Sequence, residues 1–178
     1  MHSRGFTLVE VLVALSILCA AALGGLQLVA VATGMMGGAR TQTLAASLAS
    51  VRMEQLRSLR FEFDASGQRL TDLTTNLSIE PAGPGGGGLA ASGPTSLESN
   101  VEGFVDFLDG AGRWLAGGNA APPRTAFIRR WSIEPADPNG DLLVVQVLVR
   151  PVTAGASGGP RRLNGEARYV SVRARVLQ

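Results

Sequence analysis

The sequence contains no lysine, and all sixteen of its basic residues are arginine. That absence excludes a Schiff-base or lysine-general-base enzyme, since both need a titratable amine side chain. The uniform arginine usage reads as a compositional bias of the source genome and not as a phosphate-binding device. Histidine occurs once, as His2, and cysteine once, as Cys19. A lone cysteine cannot form an intramolecular disulfide. With so few soft donors, zinc or copper binding and histidine-based nucleophilic catalysis have no residues to work with. Aromatics are scarce at 5% against a hydrophobic share of 46%, so the apolar content is aliphatic. The formal net charge of +2 is too small to imply a polyanionic partner.

What the chain does have is a long uncharged run near its start. No charged residue occurs from Val11 to Ala39, and Val11 to Ala32 is nearly all Val, Leu, Ile and Ala. Cys19 sits inside this block as a small lipid- or helix-facing residue. As a helix rising 1.5 Å per residue, the run from Val11 to Ala32 reaches roughly 33 Å, matching a hydrocarbon core of about 30 Å. The run is longer than the apolar core of an ordinary secretory signal, and Glu10 interrupts its start. A plain signal anchor explains the length but gives no reason for Glu10. With Arg4 on the cytoplasmic side, either reading sends the remainder outward.

The string Arg4-Gly5-Phe6-Thr7-Leu8-Val9-Glu10 resembles the processing site of type IV prepilins and type II secretion pseudopilins. The resemblance implies that a prepilin peptidase cuts between Gly5 and Phe6 and N-methylates Phe6. It makes Glu10 the family's assembly glutamate and discards His2 with the leader. Physics gives Glu10 the same role: a charge inside a bilayer costs roughly 2.5–3.5 kcal/mol, so it seeks a partner. The amine of a neighbouring subunit's Phe6 would be one. A carboxylate that only complements the helix dipole is the alternative. Gly34 and Gly38 form a G-x-x-x-G, and Ala20/Gly24 and Ala21/Gly25 are further small pairs. These suit close helix approach, while Gly24-Gly25 and Gly37-Gly38 are equally candidate bends.

Past Arg40, apolar residues at Leu44, Leu48, Val51, Leu56 and Leu59 recur at helical spacing, with Arg52, Glu54 and Arg57 between them. This predicts an amphipathic continuation ending near Arg60, its stripe packed on the sheet that follows. Phe61 to Thr75 is irregular, and Pro81 to Pro94, with Gly85 to Gly88, reads as a flexible loop. Val101 to Leu108 suggests a strand, and Gly110 to Pro123 another loop. Thr125 to Glu134 alternates, with Phe127, Trp131 and Ile133 on one side. The near-continuous Leu and Val from Asp141 to Arg150 suggests a strand covered on both faces. Glu166 to Val176 alternates too, with Val170, Val172, Ala174 and Val176 on one face and Tyr169, Ser171, Arg173 and Arg175 on a wet one.

The expected fold is therefore α+β and similar to the pilin fold: a long N-terminal helix packed on a C-terminal antiparallel sheet. The expected organisation is a 1–5 leader, a 6–39 transmembrane helix, a 40–60 amphipathic helix, a 61–123 variable loop region and a 124–178 sheet. Leu48 to Arg57 and Arg129-Arg130-Trp131-Ser132-Ile133 are similar to segments of V-type minor pilins and I-type minor pseudopilins. The resemblance implies a non-enzymatic filament subunit in the inner membrane, with a periplasmic C-terminal domain. The partners it implies are prepilin peptidase, other minor subunits and the major subunit, the last two through N-terminal helix packing.

Three other clusters resemble binding sites in composition only. Asp137, Asn139 and Asp141 match the first alternate positions of a calcium loop, but Leu142 and Leu148 stand where its Gly and Glu belong, so an Asn-Gly turn fits better. Asp106 and Asp109, before Gly110, could bind calcium as some pseudopilin loops do, but a solvated turn is the expected reading. Arg161, Arg162, Arg168, Arg173 and Arg175 are basic, but Tyr169 alone offers a stacking surface, so DNA is not expected as a partner. No catalytic, cofactor or metal site is expected.

Overall fold

A computed structural model of the chain describes residues 7–152 and 165–177. Two compact units divide it, Met1–Arg40 and Thr41–Gln178. A 51-residue helix, α1 (Leu8–Ser58), contributes to both. Its side chains in the first unit are exposed throughout, including Leu12, Leu15, Leu18 and Leu26. A helix that is apolar all round and buried nowhere needs an apolar medium or neighbouring helices. It is long and apolar enough to cross a membrane. The helix is unbroken at Gly24-Gly25 and Gly37-Gly38, so neither candidate bend melts it.

In the second unit, α1 is followed by β1 (Phe61–Phe63), β2 (Arg69–Thr71), β3 (Thr75–Asn76), β4 (Gly83–Pro84), β5 (Val105–Leu108) and β6 (Trp114–Gly117). Then come β7 (Phe127–Pro135), β8 (Leu142–Pro151), β9 (Ala167–Ala174) and β10 (Val176–Leu177). The main sheet is antiparallel, ordered β6-β5-β7-β8-β9. It is the α+β, pilin-like arrangement that the sequence suggested. The core joins Ala45, Ala49, Met53 and Leu56 of α1 to Trp131 and Ile133 of β7 and to the inward Val145, Val147 and Val149 of β8.

The helix stripe is rotated from its expected register. Leu44, Leu48 and Leu59 are half-buried and Val51 is 50% exposed, whereas Ala45, Ala49, Arg52, Met53 and Leu56 are buried. The small side chains of Ala45 and Ala49 let the helix lie close to the sheet, which outweighs the larger transfer energy of Val51. The expected loops at 61–75 and 110–123 hold short strands, β1 to β3 and β6. The strand expected from Val101 starts only at Val105, because Phe104 N–H closes a turn onto Val101 C=O with Gly103 at φ 84°.

The glycine run is a packed corner and not a flexible loop. Gly85 and Gly86 N–H both reach Thr74 C=O, Gly88 reaches Thr75 C=O, and Leu89 reaches Asp72 C=O. A Cβ on Gly88 would stand 2.3 Å from the Asp72 carbonyl oxygen, so only glycine admits this approach. β8 meets the expectation only in part: Leu143, Val145, Val147 and Val149 are buried, and so is Leu148 on the other face, while Leu142, Val144 and Gln146 on that face stay half-exposed.

The rotated register is directly testable. Leu56→Ala should lower the stability of the purified protein by about 2–5 kcal/mol, the usual range for a buried leucine. Val51→Ala should change it by no more than about 0.5 kcal/mol. Unfolding curves in which Val51→Ala is the more damaging change would overturn the observed packing.

Candidate functional site

The first site candidate is the start of α1. Thr7 caps it: the Glu10 N–H lies 3.3 Å from Thr7 Oγ1 and 3.1 Å from its carbonyl oxygen. Thr at the cap and Glu three residues on have capping-box spacing. Glu10 itself is exposed, beside Val11, Ala14, Leu15 and Leu18, and no described residue pairs with its carboxylate. Gly5 and Phe6 lie outside the described residues.

The second candidate joins α1 to the sheet. Asp106 on β5 is fully buried between two buried guanidiniums, Arg52 on α1 and Arg129 on β7. Arg129 grips the carboxylate with two parallel bonds, Nε to Oδ1 at 3.0 Å and Nη2 to Oδ2 at 2.7 Å. Its remaining nitrogen, Nη1, donates to the Leu48 carbonyl of α1 at 3.2 Å. Arg52 donates to Asp106 Oδ2 and to Leu77 C=O, and lies 4.6 Å above the Trp131 ring. The circuit runs from helix to carboxylate to sheet arginine and back to helix. It carries one positive charge more than Asp106 neutralises, and Glu80 is the nearest further carboxylate, 3.9 Å from Arg129. Burial pushes the Arg52 guanidinium down to about 10, with Asp106 opposing the shift and Arg129 adding to it.

In the sequence Arg52 and Arg129 stand in two separate strings, and Asp106 lies in neither. Asp106 was expected in a solvated turn. It faces inward because it stands opposite Arg129 in the β5–β7 ladder, and residues opposite one another share a face. The other candidate carboxylates are also held by donors. Asp109 accepts from Ala111 N–H, Arg113 N–H and Arg113 Nε. Asp141 accepts from Arg69 and Arg175, and Asp137 from the N–H groups of Asn139 and Leu142. Gly140, at φ 71°, completes the expected Asn-Gly turn between β7 and β8.

The basic C-terminal strand is inverted relative to expectation. Arg173 turns inward and donates to the Leu56 and Leu59 carbonyls, capping the open C-terminal end of α1. Arg175 stacks 4.1 Å from the Phe61 ring centroid and donates to Asp141, Glu62 C=O and Leu70 C=O. Val170, Val172 and Val176 are the exposed residues, at 59%, 61% and 58%. Arginine wins the inner side because helix-end and strand carbonyls there need donors, which valine cannot supply. Arg161 and Arg162 lie outside the described residues.

Comparison with known proteins gives one family match, to the model described as the prokaryotic N-terminal methylation motif, over residues 1–26. No match was found among curated proteins or among solved structures.

Two outcomes follow from these geometries. Asp106→Ala leaves two buried guanidiniums without their shared carboxylate and should cost about 3–5 kcal/mol by unfolding, more than most single truncations. Asp109 and Asp141 are held below the usual carboxylate range, mainly by the Arg113 N–H and the Arg69 guanidinium respectively. Their folded pKa lies below the unfolded one, so their contribution is present above about pH 4 and lost as pH falls through the folded values. Melting temperature should be flat in this respect above pH 5 and decline below 4. Asp141→Asn should make that acid-side decline shallower.

Proposed function

Because residues 1–26 carry the type IV prepilin signature, we propose that this chain is a minor pilin, made as a precursor and used by assembly into a type IV pilus. Prepilin peptidase cuts between Gly5 and Phe6 and methylates the Phe6 amine. The apolar segment 6–39, helical from Leu8, then holds the subunit in the inner membrane, with the C-terminal domain in the periplasm. During assembly the Glu10 carboxylate meets the Phe6 amine of a neighbouring subunit.

One observation carries this reading: Gly, Phe, Thr, Leu and Glu stand in register in the sequence just before and at the start of a helix whose large apolar residues from Leu8 to Met36 are exposed. An unpartnered carboxylate at that position is costly in lipid by about 2.5–3.5 kcal/mol, and a neighbour's amine relieves the cost. Thr7 already caps the helix through its own side chain, which leaves the Glu10 carboxylate available for an intermolecular contact.

A second reading, a minor pseudopilin of type II secretion, has the same support from the helix string Leu48 to Arg57, which resembles both groups. A gene neighbourhood encoding a secretin and further pseudopilins would select it. The DNA-binding alternative is weakened because Arg173 and Arg175 spend their donors inside the domain.

Mass spectrometry of the mature protein should find an N-terminal methylated Phe6. An intact Met1, or a terminus beyond Ala20, is incompatible with the proposal. Glu10→Leu should leave membrane insertion intact and reduce incorporation into filaments by tenfold or more. Unchanged incorporation would remove the carboxylate–amine pairing while leaving the processing claim standing.

A further inference from the structure

β9 is the last strand of its sheet, and its outward side has no strand partner among the described residues. The pairing with β8 fixes which peptide groups lie on that side. Arg175 N–H donates to Asp141 C=O at 2.8 Å, and the β8–β9 register continues without a bulge from Leu142↔Ala174 to Val149↔Ala167. In an antiparallel ladder alternate residues turn both backbone groups to the same neighbour. The odd-numbered residues of β9 therefore bond β8. Arg168, Val170, Val172 and Ala174 turn their N–H and C=O groups to the open edge.

The side chains of these same residues lie on the open outer face of the sheet, where Val170 and Val172 are 59% and 61% exposed. Leu142 and Val144 continue that apolar face on β8, opposite Ala174 and Val172. Edge strands are ordinarily protected by brevity, proline, lysine, an inward charge or a bulge. β9 has eight residues, contains neither proline nor lysine, and pairs without a bulge; its one inward charge, Arg173, lies past Val172 and leaves the stretch before it unprotected. After Arg175 the chain is already occupied, because β10 pairs with β1. The open stretch is thus Arg168 to Val172, a strand-sized template with apolar side chains beside unpaired amides.

We propose that this edge is a self-association site, where β9 of a second copy adds antiparallel about a two-fold axis through Val170. The charges fit this register. Val170 faces Val170, Arg168 faces Val172, and Tyr169 faces Ser171 of the other copy. The two Arg168 side chains lie four positions apart, so no like charges oppose one another. Such a pairing is isologous and closes at two subunits. It is a lateral contact of the periplasmic-side domain, separate from the helix packing that builds a filament. Anchoring in one membrane raises the effective concentration of each copy for the other, so a modest strand pair suffices.

The test uses the full chain in its membrane, with Cys19→Ser removing the native thiol. In the proposed register Val170 opposes its own copy with Cα atoms about 5.5 Å apart, inside the range a disulfide spans. Val170→Cys should give an oxidised dimer. Val176→Cys, equally exposed at 58% but on the strand already paired with β1, should cross-link at least tenfold less. Adding Val172→Pro to Val170→Cys should reduce the dimer tenfold or more. It removes an outward N–H and leaves the β8 ladder whole. Val172→Lys is the second probe, since it preserves the N–H and introduces an edge charge. It should also reduce the dimer, and protease resistance in membranes reports that each variant is folded. Equal cross-linking at 170 and 176, or a folded Val172→Pro and Val172→Lys pair that both dimerise normally, would overturn the proposal. The N-terminal mass is read on the same samples, so loss of the dimer with correct processing is distinguishable from failure of the prepilin reading.

Discussion

The placement of α1 on the sheet depends on one buried ion cluster, Arg52–Asp106–Arg129. Hydrophobic contacts between Ala45, Ala49, Met53, Leu56 and the inner sheet face supply most of the attraction, but aliphatic surfaces slide at little cost. A buried carboxylate shared by two guanidiniums does not slide. If the helix moved along the sheet by one residue, Arg52 would lose Asp106 and Arg129 would lose the Leu48 carbonyl. Buried donors and acceptors would then stand unpaired, each costing about 1–3 kcal/mol or more for charged groups. The cluster thus sets register more than it adds stability, and the desolvation that pushes Arg52 down to about 10 is the cost of holding it there.

Arginine, not lysine, makes this possible. The two parallel bonds from Arg129 to Asp106 need a planar fork, and so does the spread of Arg175 over Asp141, Glu62 and Leu70. Arg173 uses two nitrogens to cover two carbonyls at the end of α1. An ammonium is a single point donor and would leave one acceptor of each pair open. The all-arginine composition reads in the sequence as bias, yet in the folded domain it supplies the multidentate joints.

The long helix, the strands β7, β8 and β9 and the turn at Asn139-Gly140 were legible because each has a period or a turn chemistry that local residues determine. The N-terminal string was legible for a different reason, its resemblance to a processing site. The short strands β1 to β4 and β6 were not, since two to four residues carry no period. The orientation of β9 was misread because alternation reveals two faces without saying which is inside. The usual assumption, valine inward and arginine outward, failed where helix-end carbonyls demanded donors. Asp106 was hidden similarly: nothing around it in the chain signals that Arg52, 54 residues away, folds against it.

These errors have a common consequence for where association can occur. Within the second unit the buried arginines spend their donors on carboxylates and carbonyls of the same chain, so they are poor contacts for a partner. Two kinds of unspent capacity remain among the described residues: the apolar surface of the anchor with the Glu10 carboxylate at its mouth, and the β9 edge with its exposed valines. The first is directional only because of Glu10, since lipid tails and neighbouring helices offer aliphatic side chains nearly the same environment. The second is directional through its backbone, whose outward amides admit an extended strand and little else. A subunit that sent Arg173 and Arg175 outward would lose its helix cap and cover that edge with charge. The inward turn of those arginines therefore closes the helix and exposes the strand in the same step.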